Sequence, residues 1–355
     1  MAQEYLPKDY DVFLGIDVDK KRFSFTVKDH HSIISKSKTI PSQPQQLYNY
    51  VTKQFAGKKV LFAYEAGPTG YQLYDFLSAK KQDCLVVSPA SIPKASNQKV
   101  KNNRIDSQKI AEELKAGNLI PIRVPQGAYR ELRHLVNLRE DYVYNRKVAK
   151  QRIKALLLYV GLNSEIKDAE QNWSSNYIKA LKTLPCSNAV RQRVNMLLMD
   201  LEYARKQTSS VMRALRALVK DQPEIQEQVR HLVSISGIGF ITAVTLLGRI
   251  GDPGKLKNVR ELSAFIGLVP TEKSTGDDVN RGSITHLGNR MLRSLLIEAA
   301  WSAIRKDSEL NQFYFRIKSR HHPKIAARKA IVAVARKLTH RIYCVLKEQR
   351  PYIVR

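Results

Sequence analysis

Residues 12–20, Val12-Phe13-Leu14-Gly15-Ile16-Asp17-Val18-Asp19-Lys20, are an apolar run that ends in carboxylates and passes into Arg22-Phe23-Ser24-Phe25-Thr26-Val27. Apolar residues lead up to Asp17, and then Phe23, Phe25 and Val27 alternate with polar neighbours. This pattern predicts two strands joined by a tight turn. Asp17 then closes a buried strand. A carboxylate fixed at a sheet edge suits a divalent cation such as Mg2+, which demands rigid oxygen donors. The competing reading is a turn residue or a helix cap.

Working outward, a polar stretch follows, then a helical pattern over Gln45–Phe55 and a second buried strand, Lys58–Glu65, again ending in a carboxylate. Ala66-Gly67-Pro68-Thr69-Gly70 breaks that strand before a helix over Tyr71–Lys80, and Cys84–Val87 is another short strand stopped at Ser88-Pro89. Strand and helix alternating through short connections predict an α/β domain with at least partly parallel strands. In open sheets of this kind ligands gather at the carboxyl ends of the strands, where Asp17 and Glu65 both fall. The loop from Lys94 onward carries Lys99, Lys101 and Arg104 with no acid before Asp106, and feeds a helix over Ile105–Ala116 that Gly117 ends. Asn103 and Asp106 are three apart, so both face one way if the first turn reaches back that far. Asp106 could equally serve the helix start through its dipole.

From about Ala128 to Val160 the chain turns helical and basic, with Arg146, Lys147 and Lys150 among its cations. A second long helix over Ala189–Lys220 places Val194, Leu197, Leu201, Ala204, Thr208, Val211, Leu215 and Leu218 at coiled-coil spacing. That seam predicts self-association; the alternative is packing inside its own chain. Gly237-Ile238-Gly239, between apolar helical runs, has the look of a helix-hairpin-helix turn, where glycines bring backbone N–H groups close to a phosphate. A tight turn with no ligand competes with it. A glycine-punctuated, hydroxyl-rich loop then holds Ser274, Thr275, Arg281 and Arg290, the kind of segment where function concentrates. The last 41 residues carry 12 Lys+Arg and one acid, Glu348, on a basic amphipathic helix.

Over 355 residues, 60 Lys+Arg against 32 Asp+Glu leave a formal charge of +28. Such an imbalance favours a polyanionic partner, nucleic acid before a membrane surface. No apolar run approaches a spanning helix and the start lacks a signal peptide's apolar core, which predicts a protein of the cytosol and nucleoid with no membrane partner. Cys84, Cys186 and Cys344 have neither zinc-binding spacing nor an even count, so they read as reduced packing residues.

Taken in order, Gly15-Ile16-Asp17, Tyr64 to Gly70, Val100 to Ser107, Ser236 to Gly239, Gly267-Leu268-Val269-Pro270 and Ser274-Thr275-Gly276 resemble the insertion-sequence transposases with a DEDD, RuvC-like amino-terminal domain, relatives of the Piv-type DNA invertases. The resemblance covers nearly the whole chain and is weakest between about 160 and 230. It implies an α/β plus α architecture: an RNase H-like (RuvC-like) nuclease domain over 1–125, a basic helical and coiled-coil region over 126–228, and a mostly helical transposase domain with the nucleophile loop over 229–355. It further implies a recombinase guided by a structured bridge RNA that pairs with donor and target DNA. By position, Asp17, Glu65 and Asp106 match three of the family's four acids and would bind Mg2+, with Mn2+ as a substitute. Asn103 stands at the remaining acid, an amide where the family has a charge. The catalytic hydroxyl falls on Ser274 or Thr275. Lys99, Lys101, Arg104, Arg146, Lys147, Lys150, Gly237, Gly239, Arg281 and Arg290 are the candidate nucleic-acid contacts, and strand exchange implies a homo-oligomer, a dimer assembling to a tetramer. A metal-dependent hydrolytic nuclease of Holliday-junction-resolvase type and a catalytically inactive, domesticated nucleic-acid-binding protein are the alternatives.

Overall fold

The structure, a computed structural model, describes residues 5–89, 92, 103–163, 165, 173–272, 281–285 and 287–353, without the side chains of residues 103–105, 272 and 281. The chain divides into two units, Met1–Val124 and Pro125–Arg355.

In the first unit, strands β1 (Val12–Val18), β2 (Arg22–Lys28) and β3 (Ile33–Pro41) are followed by helix α1 (Pro44–Gln54), strand β4 (Val60–Glu65), helix α2 (Gln72–Ala79), strand β5 (Asp83–Val87) and helix α3 (Asn103–Ala116). The five strands form one mixed sheet in the order β3-β2-β1-β4-β5. β1 and β2 pair antiparallel, as do β2 and β3, whereas β1–β4 and β4–β5 are parallel. The alternation of strand side chains sorts the core into two layers. Val12, Leu14 and Ile16 face Leu47, Val51, Leu73 and Leu77 of α1 and α2. Phe13, Leu61, Ala63, Leu85 and Val87 face Ile110 and Leu114 of α3. The polar stretch after the opening hairpin is thus the edge strand β3, with most of its residues exposed.

The second unit contains helices α4 (Gly127–Tyr159), α5 (Ser175–Thr183), α6 (Asn188–Lys220), α7 (Pro223–Val233), α8 (Phe240–Ile250) and α9 (Val259–Ile266), the short strands β6 (Pro270–Glu272) and β7 (Arg281–Ile284), and helices α10 (Arg290–Ala303), α11 (Ser308–Lys318) and α12 (Pro323–Glu348). α4 and α6 lie side by side in opposite directions. The end of α4 (Ala149, Ile153, Leu156, Leu157) packs with α5 and the start of α6 (Val194, Leu197, Leu198, Leu201) in one cluster. The start of α4 (Leu132, Val136) packs with the end of α6 (Val211, Leu215, Val219) in a larger cluster that also takes in α7–α12.

This corrects the expectation of self-association through the seam. Val194, Leu197, Leu201, Ala204, Val211 and Leu215 are buried within the single chain. A 3-4 apolar spacing reports a stripe that must be covered but not what covers it, and here α4 and α5 do so. Of the basic carboxy-terminal segment, Ile331, Val334, Leu338, Ile342 and Val345 are all buried in the larger cluster, so α12 is a core helix with a charged outer face.

Candidate active site

The parallel register of β1 and β4 runs from Val12↔Val60 to Ile16↔Tyr64, so the next residue on each strand is a carboxylate, Asp17 or Glu65. Side chains alternate along a strand; Phe13, Gly15 and Asp17 therefore share a face, as do Leu61, Ala63 and Glu65. It is the α3 face, because Phe13, Leu61 and Ala63 pack against Ile110 and Leu114. Asp17 is half-buried and Glu65 exposed, as expected of polar groups at the rim of an apolar layer.

Helix α3 approaches β1 at Gly15. A Cβ on Gly15 would lie 2.2 Å from the Ala111 N atom and 2.3 Å from the Ser107 carbonyl oxygen, so only a glycine lets the two backbones meet here. Two polar contacts fix the direction of the helix. Ser107 Oγ lies 3.1 Å from Thr26 Oγ1, and Thr26 pairs with Gly15. Glu112 meets Lys28 Nζ at 2.9 Å, and Lys28 pairs with Phe13. Passing from Glu112 back to Ser107 therefore moves towards Asp17, and α3 runs antiparallel to β1. Its first turn, with the half-buried Asp106, is carried to the sheet end that holds Asp17 and Glu65. The positive end of the helix dipole points the same way, which favours anions there.

The donor set is all carboxylate oxygen, the chemistry a hard divalent cation prefers, and its placement on three elements at one end suits such an ion. The side chains do not close into a cage: among the described residues no group of three or more His, Cys, Asp or Glu stands close enough to hold a metal. α3 begins at Asn103, whose side chain lies outside the described residues, as does that of Arg104. Lys99 and Lys101 fall outside them altogether.

In the second unit Ser274 and Thr275 likewise lie outside the described residues, within the connection between β6 and β7. The two strands pair antiparallel, Pro270 with Ile284 and Glu272 with Arg281; the Arg281 side chain is not described. Arg293 of α10, which the sequence reading did not single out, ties the base of this hairpin together. Its Nη1 donates to the carbonyls of Gly267, Thr285 and Leu287 at 3.4, 3.3 and 3.2 Å. The available signal was the left-handed Gly267 (φ 82°) after α9, a turn that leaves a carbonyl free to be bound. Arg290 opens α10 and is exposed.

Gly237 (φ 90°) sits against α10, where a Cβ would come within 2.3 Å of the Ala299 carbonyl; that approach accounts for the glycine without a phosphate. Gly239, which caps α8, has open space around its Cα. Arg146, Lys147 and Lys150 line α4. Burial lowers the proton affinity of Lys150, and the neighbouring charges of Arg146, Arg205 and Lys154 lower it further. Among the described residues no helix is long and apolar enough to cross a membrane.

Comparison with known proteins shows the family of the chain. The DEDD transposase model of the IS110 group matches residues 14–161, and the model described as the IS116/IS110/IS902 transposase family matches residues 229–315. A Sinorhizobium fredii protein, y4qE, described as a candidate transposase, is 30% identical over 304 residues, covering 83% of this chain and 72% of its own. The chain belongs to the IS116/IS110/IS902 transposase family. The transposase for insertion sequence element IS1533 of Leptospira borgpetersenii is 25% identical over 309 residues, 82% of this transposase and 84% of the relative. The pilin gene-inverting protein of Moraxella bovis is 28% identical over 137 residues, 38% of this transposase and 42% of the relative. The DEDD match, from residue 14 to 161, takes in Asp17, Glu65 and Asp106 with β4, α3 and most of β1.

Proposed function

We propose that this transposase is a recombinase that breaks and rejoins DNA at the carboxyl end of its five-stranded sheet, within an RNase H-like domain. The observation that carries the reading is the convergence of Asp17, Glu65 and Asp106 from three elements onto one sheet end. The strand order, three antiparallel strands followed by two parallel ones, supports the fold assignment. Asp17, Glu65 and Asp106 would hold Mg2+ or Mn2+, with Asn103 adding an amide oxygen, and the cation when bound would neutralise charge on the phosphoryl oxygens. The sheet end and the first turn of α3 orient the scissile phosphate.

A hydroxyl from the β6–β7 connection, Ser274 or Thr275, is the proposed nucleophile. It would bond to phosphorus as the DNA strand's own oxygen leaves, and rejoining would release it, so bond energy is conserved without ATP. Family register favours Thr275; a primary hydroxyl, less crowded than that of β-branched threonine, favours Ser274. A structured RNA of the element, pairing with donor and target DNA, is the proposed guide, and the charge of +28 supports a nucleic-acid partner of that size. Exchange between two duplexes calls for at least two protomers, meeting through a surface other than the filled seam.

The test is a nicked suicide DNA substrate carrying the element's ends. Wild-type protein is expected to form a covalent adduct, and Ser274→Ala or Thr275→Ala to abolish it. An adduct that survives in the double variant removes the hydroxyl step and leaves hydrolytic carboxylate chemistry. Normal cleavage by Asp17→Asn would move the site elsewhere.

A further inference from the structure

Helices α5 and α6 enclose a groove of about 610 Å³. Lys179 and Lys182 reach it from α5; Asn195, Leu198, Glu202 and Arg205 reach it from α6. Three cations therefore face one carboxylate. Arg205 extends the cluster beyond the groove: its Nη2 donates to the Trp173 carbonyl at 2.9 Å, while Lys150 of α4 lies 5.2 Å from the centroid of the Trp173 ring. Arg146 and Lys154 are close enough to Lys150 to lower its proton affinity. Among the described residues none of these six cations forms an ion pair. Elsewhere in the same unit Arg139, Arg230, Lys337, Arg341 and Arg350 all do.

We propose that the α5–α6 groove is a binding site for the phosphodiester backbone of nucleic acid, with Lys179, Lys182 and Arg205 taking the phosphates. The inference rests on the reading that the protein engages nucleic acid, and adds a site outside the basic face of α4 and the hydroxyl loop. Charge complementarity selects the occupant. Like charges in excess of their counter-charges, here three cations against Glu202, repel, and a polyanion relieves that repulsion while releasing its own counterions. The cations are strung along α5, α6 and α4 and do not converge on one point, which suits a chain of phosphates better than a single small anion. Lys179 and Lys182 stand one turn apart on an exposed helix face, neighbours at ~5–6 Å. Trp173, covered by Lys150 and edged by Tyr177 at 4.9 Å, serves as the anchor of the cluster.

The experiment compares full-length wild type with Lys179→Gln/Lys182→Gln and with a matched control, Lys53→Gln/Lys58→Gln, two exposed lysines of the first unit. Binding of a labelled RNA hairpin, of a DNA duplex and of labelled poly-glutamate is followed by anisotropy between 50 and 200 mM KCl, with thermal melting to check that each variant folds. If the groove pair neutralises two phosphates, its loss flattens the log-log salt slope by roughly 1.4–1.8, so that wild type loses roughly tenfold more affinity than the variant across that salt range. The control should keep the wild-type slope. A change with RNA alone or DNA alone supports the site and names the source of the phosphates. Equal slopes for groove variant and wild type overturn the groove site while leaving the functional reading intact. Wild type that binds neither nucleic acid overturns both, and loss of poly-glutamate binding alone assigns the groove to an acidic peptide instead.

Discussion

The hydroxyls of Thr26 and Ser107 meet at 3.1 Å in a fully buried position, beside the point where α3 rests on Gly15. Ser107 follows Asp106 directly, so this joint between β2 and α3 fixes where the third carboxylate stands relative to Asp17. Gly15→Ala should push the helix off the strand, at about 1–3 kcal/mol of overpacking, and cleavage should fall far more than DNA affinity does. Urea denaturation and a cleavage assay on the same variant check both halves. Thr26→Val, which also takes an acceptor from the Ser37 N–H, should cost about 1 kcal/mol.

Asn103→Asp should tighten binding of Mn2+, measured by calorimetry, by roughly tenfold, or ~1.4 kcal/mol. Asp17→Asn should weaken it. No change in either variant would remove residues 103 and 17 from the ion's coordination.

Leu201→Glu and Leu215→Glu place a carboxylate in a fully covered seam. Each should destabilise the second unit by about 3–5 kcal/mol, combining a lost apolar side chain with an unpaired buried charge. Circular dichroism should show lost cooperativity. A folded, dissociated monomer with wild-type melting would instead point to a seam between chains.

Asp307 caps α11 through Leu310 N at 2.9 Å and accepts from Arg341 Nη1 at 2.6 Å, while Arg341 Nη2 reaches Glu309 at 2.5 Å. Burial pushes the Asp307 carboxyl up, but the Arg341 and backbone donors outweigh it and hold it below the ordinary 3.8. Lys337 first, and Arg341 with it, hold Glu309 below 4.5. A depressed folded value means the stabilisation is complete above those ordinary values and is lost as pH falls through the lower folded ones. Asp307→Asn should therefore flatten the acid limb of the stability curve. Arg341→Met, leaving a buried carboxylate without its partner, should cost about 3–5 kcal/mol at pH 7.

The carboxylate end of the sheet was legible from residues 12–17 and 58–65 because a buried strand advertises itself by an apolar run. β3 was not, since an edge strand with exposed Lys36 and Lys38 carries no such run. The seam was legible as a helix face, but the identity of its cover depends on α4 returning alongside, which no local spacing encodes. Asp106 is carried to the sheet end of Asp17 because α3 runs antiparallel to β1, a direction set by the contacts of Gly15, Thr26 and Lys28. The part played by Arg293 arises from a long-range return of α10, and the glycine at 267 marks the turn it braces without naming the residue that binds there.

The α4–α6 pair has one further consequence. Each helix has 33 residues, roughly 50 Å at the α-helical rise, and the two apolar clusters occupy opposite ends. Between them the pair is held by small or polar side chains, Ala204 and Thr208, and by the edge-to-face rings of Tyr142 and Tyr203 at 6.2 Å. Thr208 Oγ1 donates to the Ala204 carbonyl at 2.7 Å, a back-bond that softens and bends helices. Ala204 and Thr208 thus belong to neither apolar cluster. Lying outside both cores, residues 204–208 should show the fastest amide exchange within the arm.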